Sequence, residues 1–90
     1  MSIKINIHVT HRQYTNNQKT IEVDGGTVKE ALLNLCGKYP DIKPQLFNEK
    51  NQLLRHIEIY INSESAYPDE LNKTVAPGDE LHITAFLSGG

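Results

Sequence analysis

One cysteine among ninety residues, Cys36, leaves no partner for an internal disulfide and fits a reducing compartment. Tryptophan is absent, and no apolar run approaches the ~18 residues needed to cross a membrane. The opening "MSIKINIHVTHRQ" alternates polar and apolar residues, so it lacks the continuous apolar segment of a signal peptide. Nine Lys and Arg against eleven Asp and Glu give a formal charge of -2, without a basic cluster. Nucleic-acid binding draws on counterions displaced by such a cluster. Neither a nucleic acid nor a membrane is therefore expected as a partner, and the expected location is cytoplasmic.

Motifs that carry chemistry are equally scarce. No G-x-x-x-x-G-K-[ST] or G-x-G-x-x-G segment is present to cradle a phosphate. The carboxylates are scattered rather than paired, which gives no acid–base dyad. His8 and His11 stand three apart at a strand end and point different ways, with no cysteine or carboxylate completing a metal-ligand spacing. His8 and His82 are expected to face solvent from neighbouring strands. Cys36 lies beside an apolar helical stripe, where a thiol is buried and inert rather than nucleophilic. An iron–sulfur ferredoxin is excluded because its cluster takes four cysteines. The chain is expected to be no enzyme, with no metal and no stably bound cofactor.

What is present describes one soluble domain. Hydrophobic residues make up 38% and charged residues 22%, a folded balance rather than a disordered one. A chain of this size buries somewhat over ~60% of its unfolded surface, enough for one modest core without staples.

Ile3, Ile5, Ile7 and Val9 alternate with polar residues, the period of a strand with one buried face. "HRQYTNN" is polar and turn-forming, and residues 19–23 read as a second strand, completing an antiparallel hairpin. Thr27 and Glu30 have capping-box spacing, with the glutamate expected to reach back to the Thr27 amide. Val28, Ala31, Leu32, Leu35 and Tyr39 then form one helical stripe, ended by Pro40.

Residues 40–52 read as an irregular connection in which Leu46 and Phe47 dock on the core in a short helical turn. Residues 56–62 form a strand, with Ile57, Ile59 and Ile61 on one face. A short edge strand is expected near residues 65–67, and a Pro-Gly turn leads into a last strand over residues 80–86. Leu81, Ile83 and Ala85 share one face of it; His82, Thr84 and Phe86 share the other.

The order is β-β-α-β-(β)-β. Burying the first and last strands centrally covers the most apolar surface and leaves the short segment as a blunt edge. The expected fold class is α+β, a β-grasp (ubiquitin-like) arrangement: a mixed four- to five-stranded sheet with one main helix on one face. The expected domain spans residues 1–86, followed by a flexible Gly-Gly tail over residues 87–90. Two terminal glycines are either a frayed end or the working part, since they thread a narrow channel and leave a terminal carboxylate unhindered.

The whole chain resembles the ubiquitin-like sulfur carriers. "GGTVKEALLNLCGKYP" is similar to their capped helix, "LLRHIEIYINSE" to their central strand and turn, and "VAPGDELHITAFLSGG" to their closing turn, strand and tail. The resemblance implies that an ATP-dependent, ubiquitin-activating-like adenylyltransferase adenylates the Gly90 carboxylate. A sulfur donor then displaces AMP to leave a thiocarboxylate, which a sulfur-accepting synthase consumes. Gly90 and Gly89 would carry the chemistry, and ATP would belong to the partner. A metalloprotease that processes the tail is a further implied partner.

Tyr60, Phe86, Leu87 and Ser88 are the implied partner-binding residues, on the sheet face away from the helix and along the tail. "FLSGG" lacks the prolines that often precede the glycine pair in molybdopterin-type carriers, and thiazole-type carriers are shorter. "RHIEIYINSE" looks closer to carriers serving cysteine or methionine synthesis, which is the preferred reading. The small subunit of molybdopterin synthase and a protein modifier conjugated through Gly90 are the alternatives.

Overall fold

The alternation of apolar and polar residues becomes five strands in a computed structural model that describes residues 2–85. They are β1 (Ile3–Asn6), β2 (Thr20–Val23), β3 (Ile57–Ile61), β4 (Glu64–Ser65) and β5 (Glu80–Ala85). They form one mixed sheet in the order β2-β1-β5-β3-β4. β1 pairs β2 in antiparallel fashion and β5 in parallel, with Ile5 opposite both Ile21 and Leu81. β3 runs antiparallel to β5, with Ile59 opposite Ile83, and to the two-residue edge strand β4. Two antiparallel hairpin arms joined by a parallel central pair, crossed by one helix, make this a β-grasp fold.

Helix α1 (Val28–Lys38) follows from its ends and its stripe. Thr27 Oγ1 accepts from the Glu30 amide at 3.1 Å, the expected N-cap. The reciprocal half differs from expectation: Glu30 Oε1 accepts from the Gly26 amide at 2.7 Å, not from Thr27. The backbone around Thr27 is tied to the segment at Thr74, the Val28 amide donating to the Lys73 carbonyl and the Val75 amide to the Gly26 carbonyl, and the glutamate closes on the amide one residue earlier. Tyr39 caps the C-terminus through its amide to the Leu35 carbonyl. It is half-buried, and Pro40 opens the next turn.

Val28, Ala31, Leu32 and Leu35 are fully enclosed against Ile3, Ile5, Ile57, Ile59, Leu81 and Ile83. Truncating any one of these leucines or isoleucines to alanine typically costs ~2–5 kcal/mol. Cys36 joins this core as a free, buried thiol. Burial pushes its pKa up, partly offset by the nearby Lys43 ammonium. The connection over residues 40–52 docks as expected through Leu46 and Phe47, with a single turn, α2 (Lys43–Leu46), supplying the backbone bonds.

Two expectations fail at the end of β1. The strand stops at Asn6, and the chain turns into a 3-10 helix over Val9–Tyr14. Val9 consequently leaves the buried face and is 64% exposed. Arg12 Nε donates to the Ile7 carbonyl, and the Thr15 hydroxyl is hydrogen-bonded to the Arg12 and Gln18 carbonyls. These bonds satisfy a tight, partly buried loop where the sequence reads a polar, turn-forming segment.

The segment after β4 is also better ordered than expected. Ala66 and Val75 are buried, a 3-10 turn spans Glu70–Asn72, and the Val75 amide donates to the Gly26 carbonyl. The Tyr67–Pro68 bond is cis.

Candidate functional site

The start of β5 is clamped before the strand reaches the sheet face. Gly78 has φ +92°, a left-handed backbone that favours glycine. Asp79 then accepts from the Ala76 amide at 2.8 Å and from Asn62 Nδ2 at 3.0 Å. Those two bonds favour its charged form and hold the carboxyl below its ordinary pKa. Asn62 adds a reciprocal pair, its amide donating to the Glu80 carbonyl and its Oδ1 accepting from the Glu80 amide. The β3–β4 turn and the turn into β5 are thereby tied together.

Opposite the helix, the sheet presents a band of polar side chains across three strands. Thr20 Oγ1 donates to Asn6 Oδ1 at 2.8 Å. Asn6 Nδ2 approaches Glu80 Oε2 at 3.2 Å and the His82 ring at 3.3 Å. His82 Nε2 lies 3.7 Å from Glu80 Oε2. Tyr60 pairs in register with His82, and Glu58 with Thr84. The Glu58 carboxylate, by hydrogen bond and by charge, raises the Tyr60 phenol above its usual pKa.

Tyr60, Thr84 and His82 therefore share the face away from the core, each partly exposed. Phe86, Leu87, Ser88, Gly89 and Gly90, the other sequence-derived site residues, lie outside the described residues.

The histidines fall differently from expectation. His82 faces outward on β5, as read from the sequence. His8 lies beyond β1 rather than on it, where its Nδ1 accepts from the Thr10 amide at 3.2 Å and caps the 3-10 helix. His11 is buried, because the turn of 3-10 helix swings it under the sheet end instead of out to solvent. Its ring stands 6.4 Å from those of His8 and Tyr14. His8, Thr10, His11, Tyr14, Gln45, His56 and Ala85 line one cavity of about 380 Å³. Sequence spacing offers no signal for this cluster, since its members come from four separate segments.

A second hollow of about 440 Å³ lies beside the open part of the β3 edge, lined by Leu53, Leu54, Arg55 and Ile57 with Tyr67 at its side. Tyr67 is 76% exposed. Among the described residues, no group of three or more His, Cys, Asp and Glu side chains is placed to hold a metal ion. Nor does any described helix have the length and apolarity to cross a membrane. The described part of the site is thus a polar sheet face leading along β5 to Ala85.

Comparison with known proteins gives consistent relatives. The ThiS family profile matches residues 5–90. The chain is 37% identical over 71 residues to small archaeal modifier protein 1 of Haloferax volcanii, covering 78% of each. It is 27% identical over 93 residues to sulfur carrier protein CysO of Mycobacterium tuberculosis, covering 100% of each. A chain in the crystal structure of the BexX/CysO complex of Amycolatopsis orientalis superposes with a TM-score of 0.88 at 30% identity. That match covers 98% of this chain and 99% of the other.

Proposed function

The chain belongs to the ThiS family of ubiquitin-like sulfur carriers, and from that premise we propose that it carries sulfur as a thiocarboxylate on Gly90. A partner adenylyltransferase joins the Gly90 carboxylate to the α-phosphate of ATP and releases pyrophosphate. Sulfide from a donor adds to the activated carbonyl and AMP leaves, so one carboxylate oxygen is exchanged for sulfur. In the acceptor synthase the terminal sulfur attacks an electrophilic substrate carbon and displaces that carbon's leaving group. Water then cleaves the resulting thioester, freeing the sulfur with the product and returning Gly90 as carboxylate.

The single observation that carries this reading is the family match, which runs through to residue 90. In this reading the β-grasp body is a handle, and residues 87–90 are the working tail. Gly89 and Gly90 pass a narrow channel because they add no side-chain bulk. Tyr60, Phe86, Leu87 and Ser88 meet the partner along the sheet face and the tail. The full-length similarity to a CysO sulfur carrier favours cysteine-type amino-acid synthesis as the destination.

The test is the intact mass of the chain after incubation with a candidate activating enzyme, ATP and sulfide. The expected result is the replacement of one oxygen by sulfur, abolished by deleting Gly90. An unchanged mass alongside an activating enzyme that is active on its own carrier would overturn the proposal.

A second reading rests on the 37% identity to small archaeal modifier protein 1: conjugation of Gly90 to lysines of other proteins. An affinity-tagged chain recovered from cells as a ladder of larger covalent species supports it. Recovery at a single mass rules it out.

A further inference from the structure

We propose that the cavity bounded by His8, His11, Tyr14, Gln45, His56 and Ala85 is a carboxylate-binding site. It encloses about 380 Å³, more than one carboxylate with its methylene stem requires. Its described lining holds three imidazoles, a phenol, a carboxamide and the Thr10 hydroxyl, and no Asp or Glu. Asp41 and Lys43, on the neighbouring 3-10 turn and α2, do not line it.

The deciding feature is His11. It is only 6% exposed, and its Nδ1 is buried without a hydrogen-bond partner among the described residues. A buried polar atom left unpaired costs ~1–3 kcal/mol, and each such atom in a native structure calls for an explanation. A carboxylate seated in the cavity brings a negative charge beside this buried, unpaired ring.

The electrostatics agree. Burial, with the neighbouring His8 and His56, holds the His11 pKa below its ordinary value, so its imidazole is neutral at pH 7. A carboxylate opposes the charge influence of His8 and His56, since an opposite charge within ~4–6 Å favours the charged ring. A cation would instead add to the crowding. His8 Nδ1 is already engaged by the Thr10 amide and hydroxyl, and no described group has metal-ligand geometry. Anion binding is the chemistry left to this lining.

Its place in the fold suggests two sources. Ala85, the last described residue of β5, is part of the wall. The Gly90 carboxylate lies five residues further on, within an extended reach of about 16 Å. The other source is an acidic group brought by a molecule that grips the tail.

The experiment follows the ring signals of His8, His11 and His56 by NMR titration, and needs no sulfur chemistry. Three samples are compared: the 90-residue chain, the same chain with a C-terminal amide, and the amide with added acetate at constant ionic strength. If Gly90 is the occupant, the His11 titration midpoint is about one pH unit higher with the free carboxylate than with the amide. If the occupant is external, the first two agree and acetate raises the midpoint.

Either result supports the site, and His56→Ala, at an exposed position, reduces the response in both cases. Identical midpoints in all three samples would overturn the proposal. So would an equal effect of chloride in place of acetate.

Discussion

A Cβ placed on Gly25 would lie 2.8 Å from the Ala31 nitrogen and 3.2 Å from the Ala31 methyl. The turn after β2 is therefore in backbone contact with the first turn of α1, and the contact has no room for a methyl group. Gly25→Ala should destabilise the domain by ~1–3 kcal/mol, as overpacking does. The midpoint of urea unfolding should fall with an unchanged slope. Gly37 supplies the contrast, since nothing lies within 4 Å of its added Cβ and it sits inside α1. Gly37→Ala should raise stability by ~0.5–1 kcal/mol.

Thr27 holds the same helix start by its side chain. Thr27→Ala removes the acceptor for the Glu30 amide and should cost about 1 kcal/mol, while Thr27→Ser should recover most of it. Thermal unfolding monitored by circular dichroism separates the three proteins.

Stability should decline on mild acidification because of His11. Its folded pKa is lowered from 6.5, chiefly by burial and then by His8 and His56. Below pH 6.5 the unfolded chain therefore binds a proton that the folded chain resists. The contribution is fully present above pH 6.5 and is lost as pH falls from there through the folded pKa. His11→Leu keeps the buried volume apolar and should flatten this part of the profile. Unfolding curves at pH 7.5, 6.0 and 5.0 for both proteins measure the difference.

Cys36 should be nearly silent toward thiol reagents in the folded state. It is buried in the core and its pKa is raised by burial, so both access and thiolate are scarce. Labelling at pH 7.5 should proceed at the rate of unfolding transitions and become fast in denaturant. Rapid native-state labelling would contradict the placement of α1.

The strands and helix were legible because their signals are local and repeated. Ile57 and Ile59 alternate with polar residues, and Thr27 stands three residues before Glu30, so period and cap each fix an element. The central place of β5 was readable too, from apolar content shared with β1. The His8–His11–His56 cavity was not.

His11 reads as part of a polar loop, and only the 3-10 winding of Val9–Tyr14 turns it inward toward Tyr14 and His56. Likewise the capping spacing points Glu30 to the Thr27 amide, whereas the structure gives it the Gly26 amide. Capping spacing fixes which residue turns back but not which of two adjacent amides it reaches. Tyr60 was placed correctly on the outer face, but its partnership with Glu58 depends on an exposed side-chain geometry that alternation does not encode.

The central position of β5 has a mechanical consequence. It is flanked by a parallel partner at Lys4, Ile5 and Asn6 and by an antiparallel partner along Ile57–Ile61. A pull applied beyond Ala85 runs along the strand axis and loads both ladders in shear, so their bonds must yield together rather than one at a time. An enzyme that tugs on the last residues would meet a body that moves as one piece and transmits the force undiminished to whatever holds its sheet.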